Sequence, residues 1–206
     1  MSVLLRRLIF PSFFLMGMMS VYVVAFAQTT VTMYPDMDAN VVRNDNNPSN
    51  AATNYSTSTL LRAFRWTHSG QPFFYRSYIK FDLSGIPAGA TITSAQFTLY
   101  GLNHDRPSHS NASYLERVTG SWALTGITWN TQPSVTTTGR ISLAGSTSST
   151  QNYTIDMASM IQGWLDGDYA NNGFRLILQD ETPYTSMEFA SSDHADSGKH
   201  PKLEIT

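Results

Sequence analysis

Three pairs of neighbouring carboxylates are the residues of this sequence with the clearest capacity for chemistry. They are Asp36 with Asp38, Asp166 with Asp168, and Asp180 with Glu181. Two carboxyl groups about 5 to 9.5 Å apart can hydrolyse a glycosidic bond, one of them as an acid with a raised pKa. Each pair, however, lies beside a proline or glycine of the kind that forms turns. We therefore interpret all three pairs as turn residues and predict no catalytic residue.

Other catalytic constellations are missing or incomplete in the sequence. The chain has no cysteine, which excludes thiol nucleophiles and disulfides, and it has no Gly-x-Ser-x-Gly motif of a serine hydrolase. A polysaccharide lyase would instead use neutral side chains that the chain does contain, such as His68, His104, Tyr75 and Tyr100. Composition alone leaves that alternative open beside our prediction that the protein is not an enzyme.

A metal site is the third kind of chemistry that the sequence suggests. Asp36, Asp38 and Asn40 match the first three ligand positions of an EF-hand loop, but Val41 stands where that loop needs glycine and Asn47 where it needs glutamate. Oxygen ligands at every second residue would still converge if the segment curled. These three residues are therefore our candidate ligands for a structural calcium ion, with a solvated turn as the alternative, and no other cofactor is expected.

Composition and the N-terminal segment indicate an exported globular protein. With 13 basic against 15 acidic side chains the net charge is −2, so the basic surplus needed for nucleic-acid binding is missing. Arg6 and Arg7 precede an apolar run that ends in small residues at 25 and 27, the layout of a cleaved signal peptide. We predict a signal peptide over residues 1–27, one domain over residues 28–206, no stable membrane insertion after cleavage, and a secreted or cell-surface location. An uncleaved membrane anchor is the alternative, because the run is also near spanning length.

The remaining residues indicate short strands separated by turns. Aromatic and β-branched runs alternate with clusters of Asn, Ser, Thr, Gly and Pro, which is typical of an all-β sandwich. Strands are predicted at 29–34, 59–66, 73–83, 93–102, 113–119, 173–179, 186–190 and 202–206. Residues 44–58 and 136–152 are predicted as polar loops, the second around a brief strand at 141–143. One short helix is predicted between an N-cap at Asp156 and a stop at Gly167, with an apolar stripe that must pack against the sheets.

Several segments of the chain, taken in order, resemble the DNRLRE-domain family. Residues 78–100 are similar to its core pattern FDLS-lP-G-I-SA-L-LY, and Trp122 with residues 127–133 resembles its W…vTWnnqP. Residues 153–157, 164–174, 189–192 and 201–203 resemble its ending, iDvT…W…G…NGf…f.Ss…P.L. The resemblance covers about residues 31–206 and implies a jelly-roll-like antiparallel β-sandwich in a secreted bacterial or archaeal protein. It also implies sugar binding, since part of that family is classed as carbohydrate-binding modules with alginate-type ligands.

One predicted hairpin concentrates basic and aromatic residues. Its arms, 61–68 and 73–80, pair across a turn at 69–72, and alternation predicts an outward face carrying Arg76, Tyr78 and Lys80. Aromatic rings stack on the C–H faces of sugars, and arginine holds a carboxylate with two parallel hydrogen bonds. The predicted ligand-binding residues are Arg62, Arg65, Trp66, Arg76, Tyr78, Lys80 and Tyr100. Cross-strand packing is the alternative for the two tyrosines. The tryptophans assigned to the core are Trp122, Trp129 and Trp164.

Two functions from different classes are compatible with these residues. The first is a secreted, non-catalytic carbohydrate-binding protein whose partner is a polysaccharide, with an acidic polyuronate such as alginate as the candidate ligand. The second is a structural subunit of an extracellular matrix, adhesin or filament, favoured by a surface rich in Ser, Thr and Asn. In the second case residues 28–34 would pair with the sheet edge of another copy, so self-association belongs to this alternative.

Overall fold

The protein is a sandwich of two antiparallel sheets with one α-helix, described by a computed structural model over residues 28–107 and 109–206. The signal peptide predicted for residues 1–27 lies outside the described residues. The strands are β1 (Val31–Met33), β2 (Met37–Asn44), β3 (Leu60–His68), β4 (Gln71–Lys80), β5 (Ala95–Leu99), β6 (Ser113–Val118), β7 (Val135–Leu143), β8 (Tyr153–Asp156), β9 (Phe174–Leu178), β10 (Thr185–Ala190) and β11 (Lys202–Ile205). The helix α1 spans Ala158–Leu165. The predicted all-β sandwich with one short helix is confirmed.

The small sheet has the strand order β1-β11-β5-β8. Alternation sets its inner face, because Ala95, Phe97 and Leu99 of β5 are buried while the residues between them are only half-buried. Leu203 and Ile205 of β11 continue the same apolar face. Both strands therefore bury one face, as alternation in a sandwich requires.

The large sheet, of order β10-β3-β4-β9-β6-β7, bends sharply beside β4. β2 pairs with residues 73–80 of β4, so β3 and β9 must share the opposite edge of that strand. β3 follows β4 only from Phe64 onward, and its first residues lie apart. There, side chains accept the backbone hydrogen bonds that β4 no longer accepts: the Arg62 N–H donates to Ser77 Oγ (2.5 Å) and to Asn40 Oδ1 (3.2 Å). Asn40 Nδ2 donates to the Leu60 carbonyl oxygen (2.7 Å), and these bonds satisfy buried backbone groups at the bend.

The main core lies between the two sheets. The rings of Phe81, Phe97 and Phe174 meet at its centre, with centroid separations of 5.6, 5.1 and 6.3 Å, and all three side chains are fully buried. Offset and edge-to-face contacts of this kind add to the gain from burying the apolar area. The core thus fixes how β4 and β9 of the large sheet sit against β5 of the small sheet.

The helix α1 closes one end of this core, as the sequence predicts. The N-cap is Met157 rather than the predicted Asp156, whose Oδ1 accepts a hydrogen bond from the Ala158 N–H at 2.9 Å. Gly167 has a φ of 76°, the left-handed conformation with which glycine commonly ends a helix. Ile161 and Trp164 of the apolar stripe are buried in the core. Within the described part of the chain, no helix is long and apolar enough to cross a membrane.

A second apolar cluster covers the outer face of the large sheet. Its buried members are Ala39, Val41, Tyr78, Val118 and Ile127. The segment between β6 and β7 lies over this face, and its Trp122 ring is 6.0 Å from that of Tyr78. Tyr78 does lie on the outward face, but the ligand-facing position predicted for it is wrong, because the side chain is fully buried beneath this segment.

Three strands lie where the sequence analysis places none or only a fragment. β2 replaces the turn expected around Asp36 and Asp38, β7 extends the brief strand at 141–143 back to Val135, and β8 begins directly after the second predicted loop. β2 is buried on both faces, so its polar and apolar residues do not alternate in the usual way. β7 is largely exposed and rich in threonine and glycine, which gives it no apolar period.

Candidate functional site

A tight turn between β3 and β4 sets the geometry of the candidate site. His68 pairs with Gln71 across Ser69 and Gly70, and these two turn residues have positive φ values of 51° and 78°. Two such residues in succession form a type I′ turn, whose twist matches that of the flanking strands. The turn therefore has two residues rather than the four predicted, and β4 begins at Gln71.

The register of this hairpin separates its side chains into two surfaces. Arg65 of β3 lies opposite Phe74 of β4, and Phe64 lies opposite Tyr75. Because successive side chains of a strand alternate between its faces, these two pairs point to opposite sides of the hairpin. The ligand-binding residues predicted on β3 and β4 are consequently divided between two surfaces and do not form one patch.

The first surface, which we call the arginine surface, consists of Arg43, Arg65, Phe74, Arg76 and Trp129. The Phe74 and Trp129 ring centroids are 5.6 Å apart. The guanidinium carbons of Arg65 and Arg43 lie 4.4 and 5.5 Å from the Phe74 centroid, and that of Arg76 lies 4.6 Å from the Trp129 ring. Stacking of this kind holds a planar guanidinium in place.

The charges on the arginine surface do not balance. Arg76 makes a bidentate pair with Glu181 (2.9 and 2.8 Å), and Arg43 makes one with Asp45 (2.7 and 2.9 Å). Among the described residues, no carboxylate oxygen lies within 4.0 Å of the Arg65 guanidinium, which donates to a backbone carbonyl of β3. Burial lowers the pKa of Arg65, but an arginine remains charged at any physiological pH. One positive charge therefore has no carboxylate partner.

The second surface, which we call the aromatic surface, consists of Phe64, Trp66, Phe73, Tyr75 and Tyr184. The Phe64 ring centroid lies 5.4 Å from that of Phe73 and 5.3 Å from that of Tyr75, in edge-to-face contacts. Trp66 makes a similar contact with Tyr184 at 5.1 Å. The side chains are half-buried except that of Tyr184, which is 41% exposed. These rings offer stacking area at the solvent boundary.

Arg62 borders the aromatic surface but differs from Arg65 in its partners. Its guanidinium carbon lies 4.9 Å from the Tyr75 centroid, and its Nε lies 3.4 Å from Glu188 Oε2. Burial raises the pKa of Glu188, although the Arg62 charge acts in the opposite direction. The positive charge beside the aromatic surface is therefore matched within the protein, whereas the one on the arginine surface is not.

Three of the predicted ligand-binding residues belong to neither surface. Tyr78 is fully buried. Lys80 is half-buried at the opposite end of β4 from the hairpin turn. Tyr100 follows β5 of the small sheet, where its carbonyl oxygen accepts a hydrogen bond from the Ala190 N–H at 3.0 Å. The structure thus brings together Arg65 with Arg76 on one surface and places Arg62 and Trp66 at the other.

Seven members of the two surfaces are absent from the predicted set: Arg43, Phe64, Phe73, Phe74, Tyr75, Trp129 and Tyr184. Phe74 shares a face with Arg76 by alternation, so the sequence alone contains the signal for it. Arg43 lies on β2, a strand that the sequence analysis does not predict. Trp129 was assigned to packing, and it is indeed half-buried, but one side of its ring faces Arg76. Tyr184 reaches the site from the turn before β10. Its backbone has a φ of 72°, which no pattern in the sequence predicts.

The three candidate calcium ligands do not form an oxygen cage. Asp38 Oδ2 accepts a hydrogen bond from the Ser192 N–H at 2.8 Å, and burial raises the pKa of this carboxyl. Asn40 Oδ1 accepts a hydrogen bond from Ser77 Oγ at 2.7 Å, so it serves the bend of β3. Asp36 is exposed ahead of β2. Across residues 28–107 and 109–206, no group of three or more His, Asp or Glu side chains is placed to hold a metal ion. Asp38 and Asn40 are thus engaged within the protein, and calcium binding at these three residues stays a prediction.

The carboxylate pairs considered for hydrolysis are used in local contacts. Asp180 Oδ1 accepts hydrogen bonds from the N–H and the hydroxyl of Thr182, at 3.0 and 2.6 Å. Asp166 Oδ1 accepts one from Gln162 Nε2 at 2.9 Å, at the end of α1. Contacts of this kind are typical of turns and helix ends.

Comparison with known proteins identifies the family of the chain. A model of carbohydrate-binding module family 96 matches residues 29–206, and no curated protein matches the sequence significantly. The resemblance to the DNRLRE-domain family is compatible with this match and stays a prediction. Because the match extends over nearly all of the described sandwich, the chain belongs to carbohydrate-binding module family 96.

Proposed function

We propose that this module binds an acidic polysaccharide of the polyuronate type on its arginine surface and performs no chemistry on it. The observation that carries the proposal is Arg65, which stacks on Phe74 and has no carboxylate partner among the residues that the structure describes. A uronate residue brings one carboxylate, the group that the guanidinium edge is shaped to bind. Family membership supports a sugar ligand, and Arg65 supports an acidic one.

The neighbours of Arg65 support a ligand with several carboxylates. Arg43 and Arg76 are stacked on the same pair of rings and are paired with Asp45 and Glu181, in contacts that remain partly exposed. Partly exposed ion pairs contribute only about 0 to 1 kcal/mol, so a carboxylate from a ligand can compete for these arginines. A polymer with a carboxylate on each residue would therefore meet three stacked guanidinium groups. An extracellular location is part of the proposal and rests on the signal peptide predicted for residues 1–27.

Calorimetric titration of the domain with an alginate hexamer tests the proposal. Arg65→Gln removes a charge-assisted contact of about 1.5 to 3 kcal/mol, so we expect the dissociation constant to rise about tenfold or more. Arg140→Gln is the matched control, because Arg140 is stacked on Tyr114 at 3.7 Å on another part of the large sheet and its loss changes the net charge equally.

The control should bind the hexamer as the unaltered protein does, and a neutral maltohexaose should bind much more weakly to both. Equal losses in Arg65→Gln and Arg140→Gln would reduce the effect to overall charge and contradict the assigned surface. Turnover of the hexamer by the purified domain would contradict the non-catalytic part of the proposal.

A second candidate function, a subunit of an extracellular assembly, is favoured by the edge of the small sheet. β1 pairs with β11 on one side only within the described residues. Val31 and Tyr34 at its ends are 39% and 56% exposed. An uncovered edge strand can pair with another chain. Light scattering coupled to size exclusion tests this: a concentration-dependent polymer would support it, and a monomer at all concentrations would contradict it.

A further inference from the structure

A cavity of about 270 Å³ opens at the edge of the sandwich, between β7 of the large sheet and the first turn of α1. Its apolar lining comes from Ile141, Met157 and Met160. Arg117 and Tyr169 also line it. None of its lining residues belongs to the arginine surface or the aromatic surface, so the cavity is a separate feature of the molecule.

Arg117 is the charged group of this cavity. Its guanidinium carbon lies 3.8 Å from the centroid of the Tyr169 ring, so the cation is stacked on that ring. No carboxylate oxygen of the described residues lies within 4.0 Å of Arg117. The stacked guanidinium is thus held in position and its charge is free to take an anionic group of a ligand.

The rim of the cavity supplies groups that suit hydroxyls. Asp156 Oδ1 accepts a hydrogen bond from the Ala158 N–H, which leaves Oδ2 as an acceptor at the exposed rim. The hydroxyls of Thr138 and Ser159 lie on the same rim, and both can donate and accept hydrogen bonds. A ligand with several hydroxyls, one carboxylate and an apolar face would therefore find a partner for each of its parts.

We propose that this cavity binds a single sugar-acid ring, a hydroxylated ring that carries one carboxylate. The carboxylate pairs with Arg117, the hydroxyls bond to Asp156 and Ser159, and the C–H face packs on Met157 and Met160. The volume lies near the lower limit of about 300 Å³ for small-molecule pockets, which suits one ring. The ring is either a free monosaccharide or the terminal residue of a chain.

The test is a nuclear magnetic resonance titration of the ¹⁵N-labelled domain with D-glucuronate as the probe. Saturable shifts are expected for the amides of Gly139, Ser159 and Tyr169, and D-glucose should bind about tenfold more weakly because it lacks the carboxylate. Absence of saturable shifts at these amides would overturn the proposal.

Two variants keep the test independent of folding. Arg117→Gln should weaken glucuronate binding about tenfold or more, while Arg140→Gln, which removes the same charge from the outer face of β7, should leave it unchanged. Ser159→Phe keeps Arg117 and fills the cavity from its rim, so it should also abolish the shifts. Thermal unfolding checks that each variant is folded. Glucuronate affinity unchanged in Arg117→Gln or in Ser159→Phe would overturn the proposal.

An alginate hexamer distinguishes the two sources of the ring. Shifts of the cavity amides that depend on Arg117 and appear with the hexamer as well as the monosaccharide indicate a chain end. Shifts with glucuronate alone indicate a free sugar acid. Both outcomes differ from failure of the arginine surface, because Arg65→Gln leaves the cavity intact and Arg117→Gln leaves the arginine surface intact, so each variant reports on one site.

Discussion

Arg62 and Arg65 lie on the same strand and are both stacked on aromatic rings, yet their electrostatic situations differ. Glu188 supplies a carboxylate to Arg62, whereas Arg65 has none among the described residues. The difference follows from strand alternation, since the two side chains lie on opposite faces of β3 and so meet different neighbours. Arg65 is therefore the stronger candidate for ligand binding, because its charge has no carboxylate partner among the described residues.

A second contrast at the residue scale concerns His104, which is buried and serves the fold. Its Nδ1 accepts a hydrogen bond from the Glu188 N–H (3.1 Å), and its Nε2 donates to the Gln151 carbonyl oxygen (2.8 Å), so the ring is neutral with its proton on Nε2. Burial lowers the pKa of His104, although the bond to Gln151 acts in the opposite direction. Protonation would also place a proton on Nδ1 against the N–H of Glu188.

We therefore expect acid to destabilise the protein through His104. The unfolded chain takes up a proton near pH 6.5, whereas the folded chain resists it until its lower pKa is reached. The free energy of unfolding should thus fall as the pH drops below about 6.5. Urea unfolding at pH 7.5 and 5.5 measures this, and His104→Gln should show a smaller drop than the unaltered protein. An equal drop in both would assign the pH dependence to other groups.

At the scale of elements, the β3–β4 hairpin turns a short sequence into two chemically different surfaces. Its two-residue turn fixes the register, and the register decides that Arg65 meets Phe74 rather than Phe73. A shift by one residue would exchange the faces of one arm relative to the other and break up both surfaces. The left-handed conformation of Gly70 is what allows the turn to be this short.

Gly70→Ala should therefore destabilise the protein by about 1 kcal/mol, because a side chain at φ 78° is strained even though nothing lies within 4 Å of the added Cβ. Gly85→Ala is the matched control, since Gly85 has equally open surroundings and no positive φ. Urea denaturation of the two variants measures the difference. Equal stabilities of the two variants would show that the turn does not need the left-handed residue.

The sequence predicts those elements whose patterns are set locally. β5 and β11 alternate cleanly because each has one apolar face against the core, and α1 is followed by the predicted glycine, Gly167, although its N-cap is Met157 rather than Asp156. β2 escapes prediction because the segment between β6 and β7 buries its second face, a contact between residues far apart in the chain. The arginine surface was found only in part for the same reason, since Arg43 and Trp129 reach it from β2 and from that covering segment.

At the scale of the whole molecule, attraction of an acidic polymer must be local. The chain carries a net charge of −2, so its overall field does not favour a polyanion. Surface charges are screened beyond about 8 Å at physiological ionic strength, so a ligand carboxylate responds mainly to the guanidinium groups that it touches. The sandwich contributes by holding the hairpin rigid through the core under β4, which keeps the stacked arginines in place.

The most direct measurement follows the tryptophan indole N–H resonances of the ¹⁵N-labelled domain during titration with an alginate hexamer. Trp129 belongs to the arginine surface and Trp66 to the aromatic surface, and Trp→Phe variants assign their signals. The account predicts that the Trp129 signal shifts saturably while the Trp66 signal does not, and that Arg65→Gln suppresses the shift. Movement of the Trp66 signal alone, or of neither signal, would contradict the binding of an acidic glycan on the arginine surface.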